Sequence, residues 1–332
     1  MAVHVHTRKT LNPNILLLDG ISRSGKFFLG KIVSHCERVE YFDYCLPLEH
    51  VPIYWRFGCY AEGAAVPILK TLVDLHVYER AIGRHMNTRA DDDTAISKAP
   101  DYPRYAERML APRGPGAAEA FAQERRYSAF LTHETLPNIG LYLEAYPQMK
   151  VLNLQRHPVD LIHSWHRKEL GQSYGTDTVV FRPLVAGKKG GVPWFAYAWT
   201  EEYEALSPVD REIRGVLQLQ QFEQDSFSNL TEAQKKSICF ISYERMVTAP
   251  DSQVALMEEF LETRAMHAMP QILIRERCNR PLALEERHAK FLDLAKIASP
   301  ACVSALREAS RRYEARWEMA AFENSAAAGV KG

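Results

Sequence analysis

The chain has 332 residues, 46% hydrophobic and 25% charged, enough to bury the core of one large domain. Lys+Arg and Asp+Glu each number 41, so the net charge of +0 excludes broad electrostatic capture of nucleic acid and makes any anion site a local one. No apolar run reaches about 18 residues and the start, Met1 to Thr10, is polar, so neither a transmembrane helix nor a secretory leader is expected and a cytoplasmic protein is.

Ile15 to Leu18 is a short apolar run between Pro13 and Gly20, the pattern of a parallel strand buried on both faces. Phe27 to His35 has helical periodicity, and Val39 to Phe42 reads as a second short strand. Ile68 to Gly83 carries an apolar helical face. Thr88 to Pro115, rich in Asp, Pro, Arg and Gly, reads as a lid-like loop with helical turns around Tyr105 to Leu110. A helix over Ala117 to Arg126 precedes a strand over Ser128 to Thr132 and a helix over Pro137 to Tyr146.

Lys150 to Leu154 is a further buried strand, followed by a helix over Val159 to Leu170. Gly171 to Gly191 is polar and Gly/Lys-rich, and is expected to be mobile. Trp194 to Ser207 reads as a helix with an aromatic face, and Ile238 to Ile241 as another strand. Gln253 to Glu262 and Pro300 to Trp317 are helices. This alternation predicts a single α/β domain over 14–320, a central parallel sheet flanked by helices, with flexible tails at 1–13 and 325–332. The six cysteines form no CxxC pair and no zinc spacing, and read as reduced, mostly buried thiols.

Two segments carry phosphate-binding chemistry. In the first, a strand enters Gly20-Ile-Ser22-Arg23-Ser24-Gly25-Lys26 and leaves as a helix. A helix N-terminus offers unpaired N–H groups, and small residues let the backbone close on an anion. The spacing follows a Walker A loop as far as Lys26. Phe27 then stands where Mg²⁺ needs a hydroxyl, so no metal is expected. In the second, a strand ends at Arg156, with Pro158 in the first helical turn, Asp160 near the positive helix end and Ser164 about two turns on. An Arg at the C-terminal edge of a parallel sheet faces the ligand crevice. Tyr243, at the end of the Ile238 to Ile241 strand, can stack on a base or pack the rim.

In this order the pieces resemble the cytosolic-type and bacterial sulfotransferases, which take sulfuryl from 3′-phosphoadenosine-5′-phosphosulfate (PAPS). Arg23-Ser24-Gly25 is similar to the start of that family's 5′-phosphosulfate loop. Arg156-x-Pro158-x-Asp160-x-x-x-Ser164 is similar to its 3′-phosphate motif, Tyr243-Glu244 to its adenine-side strand end, and Thr132-His133 to the segment that carries the base. The resemblance covers about 14–170 and 236–262. Lys26-Phe27 departs from the usual Thr-Thr pair, and Leu131 stands where a Lys often precedes Thr-His.

The resemblance implies a P-loop-NTPase-like sulfotransferase architecture and PAPS as co-substrate without metal. It also implies a hydroxyl or amine acceptor, of which a carbohydrate or small metabolite is the expectation. Ser22, Arg23, Ser24, Gly25, Lys26, Phe27, Arg156, Ser164 and Tyr243 would bind the nucleotide, and Arg23 would also stabilise the leaving phosphate. His133 is the first choice of general base and Glu49 the second, with Glu134 either orienting His133 or exposed. Arg275, Arg277 and Arg280 would approach the 3′-phosphate, and Trp165, Trp194, Tyr197 and Trp199 would line a sugar or pack a core. A homodimer is left open. The competing readings are a P-loop kinase, favoured by Gly20-x4-Gly25-Lys26, and a non-catalytic nucleotide-binding protein.

Overall fold

A computed structural model describes residues 5–6, 9–61 and 63–324. Strands β1 (Ile15–Asp19), β2 (Asp43–Tyr44), β3 (Ser128–Leu131) and β4 (Lys150–Gln155) belong to the main sheet. Strands β5 (Leu184–Ala186) and β6 (Gly191–Pro193) form a separate antiparallel hairpin, and β7 (Ile238–Ser242) completes the main sheet. All its strands are parallel, in the order β2-β3-β1-β4-β7.

The first half of the chain supplies α1 (Lys26–Val33), α2 (Pro47–Arg56), α3 (Ala65–Ala81), α4 (Tyr102–Leu110), α5 (Pro115–Gln123), α6 (Ile139–Ala145) and α7 (Pro158–His166). After these come α8 (Leu170–Ser173), α9 (Thr200–Ala205), α10 (Pro208–Ser228), α11 (Glu232–Lys235) and α12 (Tyr243–Thr248). The chain ends through α13 (Pro250–Leu261), α14 (Met269–Arg275), α15 (Leu284–Ala295) and α16 (Pro300–Arg316).

The two-residue alternation of strand side chains divides the core. Leu16, Leu18, Leu131 and Leu152 pack with α1 and α13 on one face. Ile15, Leu17, Phe130 and Val151 pack with α3 and α6 on the other. A third cluster, around Trp165, Trp194, Ile213 and Phe291, joins α7, α10 and α15. Because the chain passes from β3 across β1 to β4, the sheet order reverses at β1. The crevice beyond the strand C-termini at such a point is where α/β sheets bind ligands. The segments that follow β1, β3, β4 and β7 therefore meet at one end of the molecule.

Several expected elements differ. Val39, Tyr41 and Phe42 are buried, but Val39 makes only an isolated bridge to Tyr127 and the β2 ladder begins at Asp43. Glu40, between them, is drawn inward by Arg108, which donates to it through Nη1 at 2.6 Å. That pair also orders α4, in the stretch expected to be a lid-like loop. The part that covers the site is instead 174–183, between α8 and β5, in the stretch expected to be mobile. Trp194 to Ser207 divides into a 3₁₀ turn at Trp194–Ala196 and the short α9. Within the expected N-terminal tail, Asn12 is buried and donates to Arg126 O at 2.9 Å and Ser128 Oγ at 3.0 Å. The expected tail 325–332 lies outside the described residues. Of the cysteines, all free, Cys36, Cys239 and Cys302 are buried, whereas Cys59 is exposed.

Candidate active site

The loop after β1 is shaped by two glycines with positive φ. A Cβ on Gly20 (φ 142°) would lie 2.4 Å from the Leu154 carbonyl oxygen, and one on Gly25 (φ 104°) 2.9 Å from the Tyr243 ring. Only glycine fits either place, because the backbone conformation and the close approach both exclude a side chain. Arg23 adopts φ 72° between them, and Ser24 N–H donates to Ile21 O at 3.0 Å, closing the turn onto α1. Trp165, on α7, pins the loop from below by donating through Nε1 to Ser22 O at 2.7 Å. Ser24 Oγ is buried with no partner among the described residues.

Lys26 is folded beneath the loop, where Nζ donates to Gly20 O (2.8 Å) and Ile21 O (3.0 Å). Burial pushes its ammonium down to about 8, against the opposing influence of Asp19 and Glu49. Phe27 lines the cavity and sets its ring edge-on to Phe42.

The second motif meets the first directly. Arg156 Nη1 donates to Arg23 O at 2.9 Å, and Arg23 Nε donates to Ser164 Oγ at 3.3 Å. The Arg156 guanidinium lies 4.8 Å from the centre of the Tyr243 ring, whose edge abuts Gly25. Residues up to about 220 positions apart in sequence thus form one cluster of cations, hydroxyls and an aromatic face. Beneath it, Asp160 accepts from Arg287 Nε (2.7 Å) and Lys290 Nζ (2.8 Å). Although burial opposes it, the Arg287 and Lys290 charges hold this carboxyl down at about 2. Among the cavity-lining residues Arg275, Arg277 and Arg280 do not occur; the late basic residues that reach this motif are Arg287 and Lys290 of α15.

Beyond β3, one carboxylate oxygen of Glu49 accepts from the His133 backbone N–H and lies against His133 Nδ1, each at 2.8 Å. The two sequence candidates for the base therefore form a pair. Burial drives the His133 imidazole well below its usual range, helped by the Lys26 and Arg182 charges. Burial pushes Glu49 up to about 8, against the pull of Arg182 and Lys26. The turn carrying His133 is fixed by buried Asp19, which accepts from Thr132 Oγ1 (2.9 Å), Thr135 N (3.0 Å) and Leu136 N (2.8 Å). Asp19 has no motif of its own; only the parallel register of β1 and β3 brings it there.

The 174–183 segment borders the site. Arg182 Nη2 donates to Ser22 Oγ at 2.7 Å, and its Nη1 pairs with Glu134, which in turn accepts from Ser22 N at 3.0 Å. His50 Nε2 sits 2.7 Å from the Phe181 carbonyl oxygen and ties the segment to α2. The result is a cavity of about 700 Å³ lined by the loop from Ser22 to Phe27, Arg156, Glu49, His133 and Arg182. Ser164 and Tyr243 stand behind that lining, in contact with Arg23 and Arg156. Of the aromatics expected at a sugar site, Trp165 and Trp194 are buried in the third core cluster, and none of the four lines the cavity. Arg182 was not legible in sequence, because it lies within no motif; Glu134, in the Thr132-His133 segment, is buried and holds Ser22 N and Arg182, while the carboxylate on the His133 ring is that of Glu49.

No protein-family model and no curated protein matches the chain. Among solved structures, the sulfotransferase domain from the curacin biosynthetic pathway is similar at 13% identity, covering 93% of this chain and 98% of that one, with a TM-score of 0.49. The sulfotransferase domain from the Synechococcus PCC 7002 olefin synthase is similar at 12%, covering 93% and 96%, with a TM-score of 0.45. A sulfotransferase from Alicyclobacillus acidocaldarius is similar at 14%, covering 90% and 96%, with a TM-score of 0.38.

Proposed function

We propose that the chain is a PAPS-dependent sulfotransferase that moves sulfuryl to a hydroxyl acceptor by in-line transfer without a metal ion. The observation that carries this is the union of the two phosphate motifs, Arg156 on the Arg23 carbonyl and Arg23 on Ser164, in a cavity that also holds the His133–Glu49 pair. A nucleotide with phosphate at both ends of its ribose needs two anion sites at this proximity; a nucleoside triphosphate needs one loop and a Mg²⁺ ligand, which Phe27 cannot be.

In this reading Arg156 and Ser164 hold the 3′-phosphate and Tyr243 stands at the adenine. Ser22, Ser24, Gly25 and Phe27 shape the 5′ loop, and Lys26 supports it from below. The acceptor oxygen forms its bond to sulfur as the bond from sulfur to the bridging phosphate oxygen breaks. The electron pair stays on the leaving phosphate, where Arg23 and the loop N–H groups stabilise it. The acceptor proton passes to Nε2 of His133. Glu49, accepting from Nδ1–H, keeps the ring in the tautomer that leaves Nε2 a lone pair.

The test follows labelled sulfuryl from PAPS into hydroxyl acceptors in excess chelator. Transfer should persist without metal and fall about 10²–10⁴-fold in His133→Ala. A strict Mg²⁺ requirement, or preferred turnover of ATP, would turn the reading toward the kinase.

A further inference from the structure

At the outer edge of the main sheet, β2 is only two residues long and Asp43 is its buried member. The Asp43 side chain meets α3: its Oδ2 lies against His76 Nε2, and Arg80 Nη1 is 3.3 Å from the same oxygen. His76 and Arg80 are four apart and so share one helix face. Arg80 also donates through Nη2 to Tyr41 O at 2.7 Å. A further imidazole comes from beyond the helix. After Ala81 the chain reverses: Gly83 takes φ 67°, where a Cβ would lie 2.6 Å from the Met109 backbone, and Arg84 N–H donates to Glu79 O at 2.8 Å. The reversal sets His85 edge-on to His76, with ring centroids 4.5 Å apart. One ligand atom from each of Asp43, His76 and His85 then lies within 4.8 Å of the others. Asp43 and His76 are buried, whereas the His85 side chain is 56% exposed.

The Asp43–His76–Arg80 network holds β2 to α3 without His85. Two imidazoles and a carboxylate converging on one point are the donor set of zinc, which binds both ligand types at about 2.0–2.2 Å. A tetrahedral ion with such bonds spaces its ligand atoms roughly 3.4 Å apart, so small side-chain rotations complete the site. Burial opposes ionisation of Asp43, but the Arg80 charge and the His76 hydrogen bond hold its carboxyl down at about 2, which leaves it charged at neutral pH. Arg80 repels a cation, yet on the carboxylate it is also an outer partner of the kind that orients a ligating side chain. Glu79, with Oε2 3.7 Å from His85 Nδ1, sets a compensating negative charge at the rim.

We infer that Asp43, His76 and His85 form a zinc site, with water as the fourth ligand on the exposed side of His85. The ion staples the sheet edge to the turn that ends α3. None of the three ligands lines the cavity, so the ion takes no part in sulfuryl transfer, and the inference stands whether or not that reading holds. Tyr44, the residue after Asp43, does line the cavity, with its ring 5.4 Å from that of His133, so the staple also steadies that wall.

The experiment titrates the full chain, stripped of metal by chelator and dialysis, with Zn²⁺ in a calorimeter and follows Tm with and without the ion. The native chain should bind zinc and melt higher with it, and Mg²⁺, which prefers oxygen ligands, should do neither. His85 is exposed, so His85→Ala should fold and melt unchanged without zinc. It should bind zinc about a hundredfold more weakly, since loss of even an outer partner weakens a metal site by about 10–100-fold. A second readout needs no variant: Co²⁺ in place of zinc should give the strong visible bands of a tetrahedral site. Zinc binding of equal strength in the native chain and His85→Ala, as at His4 and His6 near the chain start, overturns the inference. So does the absence of zinc binding, a preference for Mg²⁺, or a cobalt spectrum with only the weak bands of an octahedral ion.

Discussion

At the scale of single residues, the chemistry rests on pairs. Sequence offered His133 and Glu49 as rivals, because nothing in the linear chain tells a base from the group that orients it. Folding places one Glu49 oxygen on both the backbone and the ring of His133, and in the proposed reading the two take different roles, base and orienting group. The pH dependence follows from the directions of their shifts. The working base needs an unprotonated Nε2 beside an ionised Glu49, and burial holds the carboxyl protonated up to about 8. Turnover should therefore rise with pH through a limb near 8 and fall on the acid side. Glu49→Gln keeps an oxygen acceptor for the His133 N–H but removes the titrating carboxyl. A pH–rate profile of that variant should lose the limb; an unchanged limb would assign it to another group. Arg23, Arg156 and Ser164 were legible because each lies in a short local pattern, whereas Arg182 and Asp19 reach the site only through the fold, and the Glu134 partners Ser22 and Arg182 are set by the fold as well.

At the scale of elements, the strands were legible and several helices were not. Ile15–Asp19 is buried throughout and its apolar run is continuous, and Lys150–Gln155 buries Val151, Leu152 and Leu154 with only Asn153 between them, so both strands are plainly marked. Helix α10 is 21 residues long and buries Asp210, Glu212 and Glu223 among its apolar positions, which blurs the helical period. Helix α2 contains Pro52 and begins with Pro47, which read as loop punctuation. The α7 helix does two jobs that one motif does not reveal: Ser164 meets Arg23, while the neighbouring Trp165 turns inward to hold Ser22 O. Trp165→Phe keeps most of the bulk and removes that donor. It should destabilise the protein by about 1–3 kcal/mol and weaken nucleotide binding several-fold, by denaturant titration and calorimetry. Unaltered nucleotide affinity would mean that the loop is held by its glycines alone.

At the scale of the whole molecule, the site end stores buried charge that makes stability depend on pH. Glu49 and Glu223 are both pushed up to about 8, from 4.5, chiefly by burial. A folded pKa raised above the unfolded one contributes stability that is complete below about 4.5 and lost as pH rises through 8. Lys26, lowered to about 8, has its window above that pH, and the buried imidazoles lowered from 6.5, His133 and His157 among them, add stability as pH rises toward 6.5, so the decline due to the two carboxyls shows most clearly between about 6.5 and 8. Glu223 accepts from Asn153 Nδ2 at 3.2 Å beneath the sheet and lies outside the cavity lining. Glu223→Gln should flatten the decline in stability across this window, by an amount on the order of 1 kcal/mol or more, in denaturant titrations at a series of pH values. A steeper decline would mean that the native carboxyl is ionised and paired.

The central claim is that two distant motifs make one site for a nucleotide phosphorylated at both ends of its ribose. The most direct measurement compares thermal stabilisation by adenosine-3′,5′-bisphosphate with that by adenosine-5′-phosphate, in the native chain and in Arg156→Ala. A ligand at a hundredfold excess over its Kd stabilises by about 2.7 kcal/mol. The account predicts that the bisphosphate stabilises the native protein far more than the monophosphate, and that Arg156→Ala removes the difference. Equal stabilisation by the two nucleotides, or a difference that survives Arg156→Ala, would contradict it.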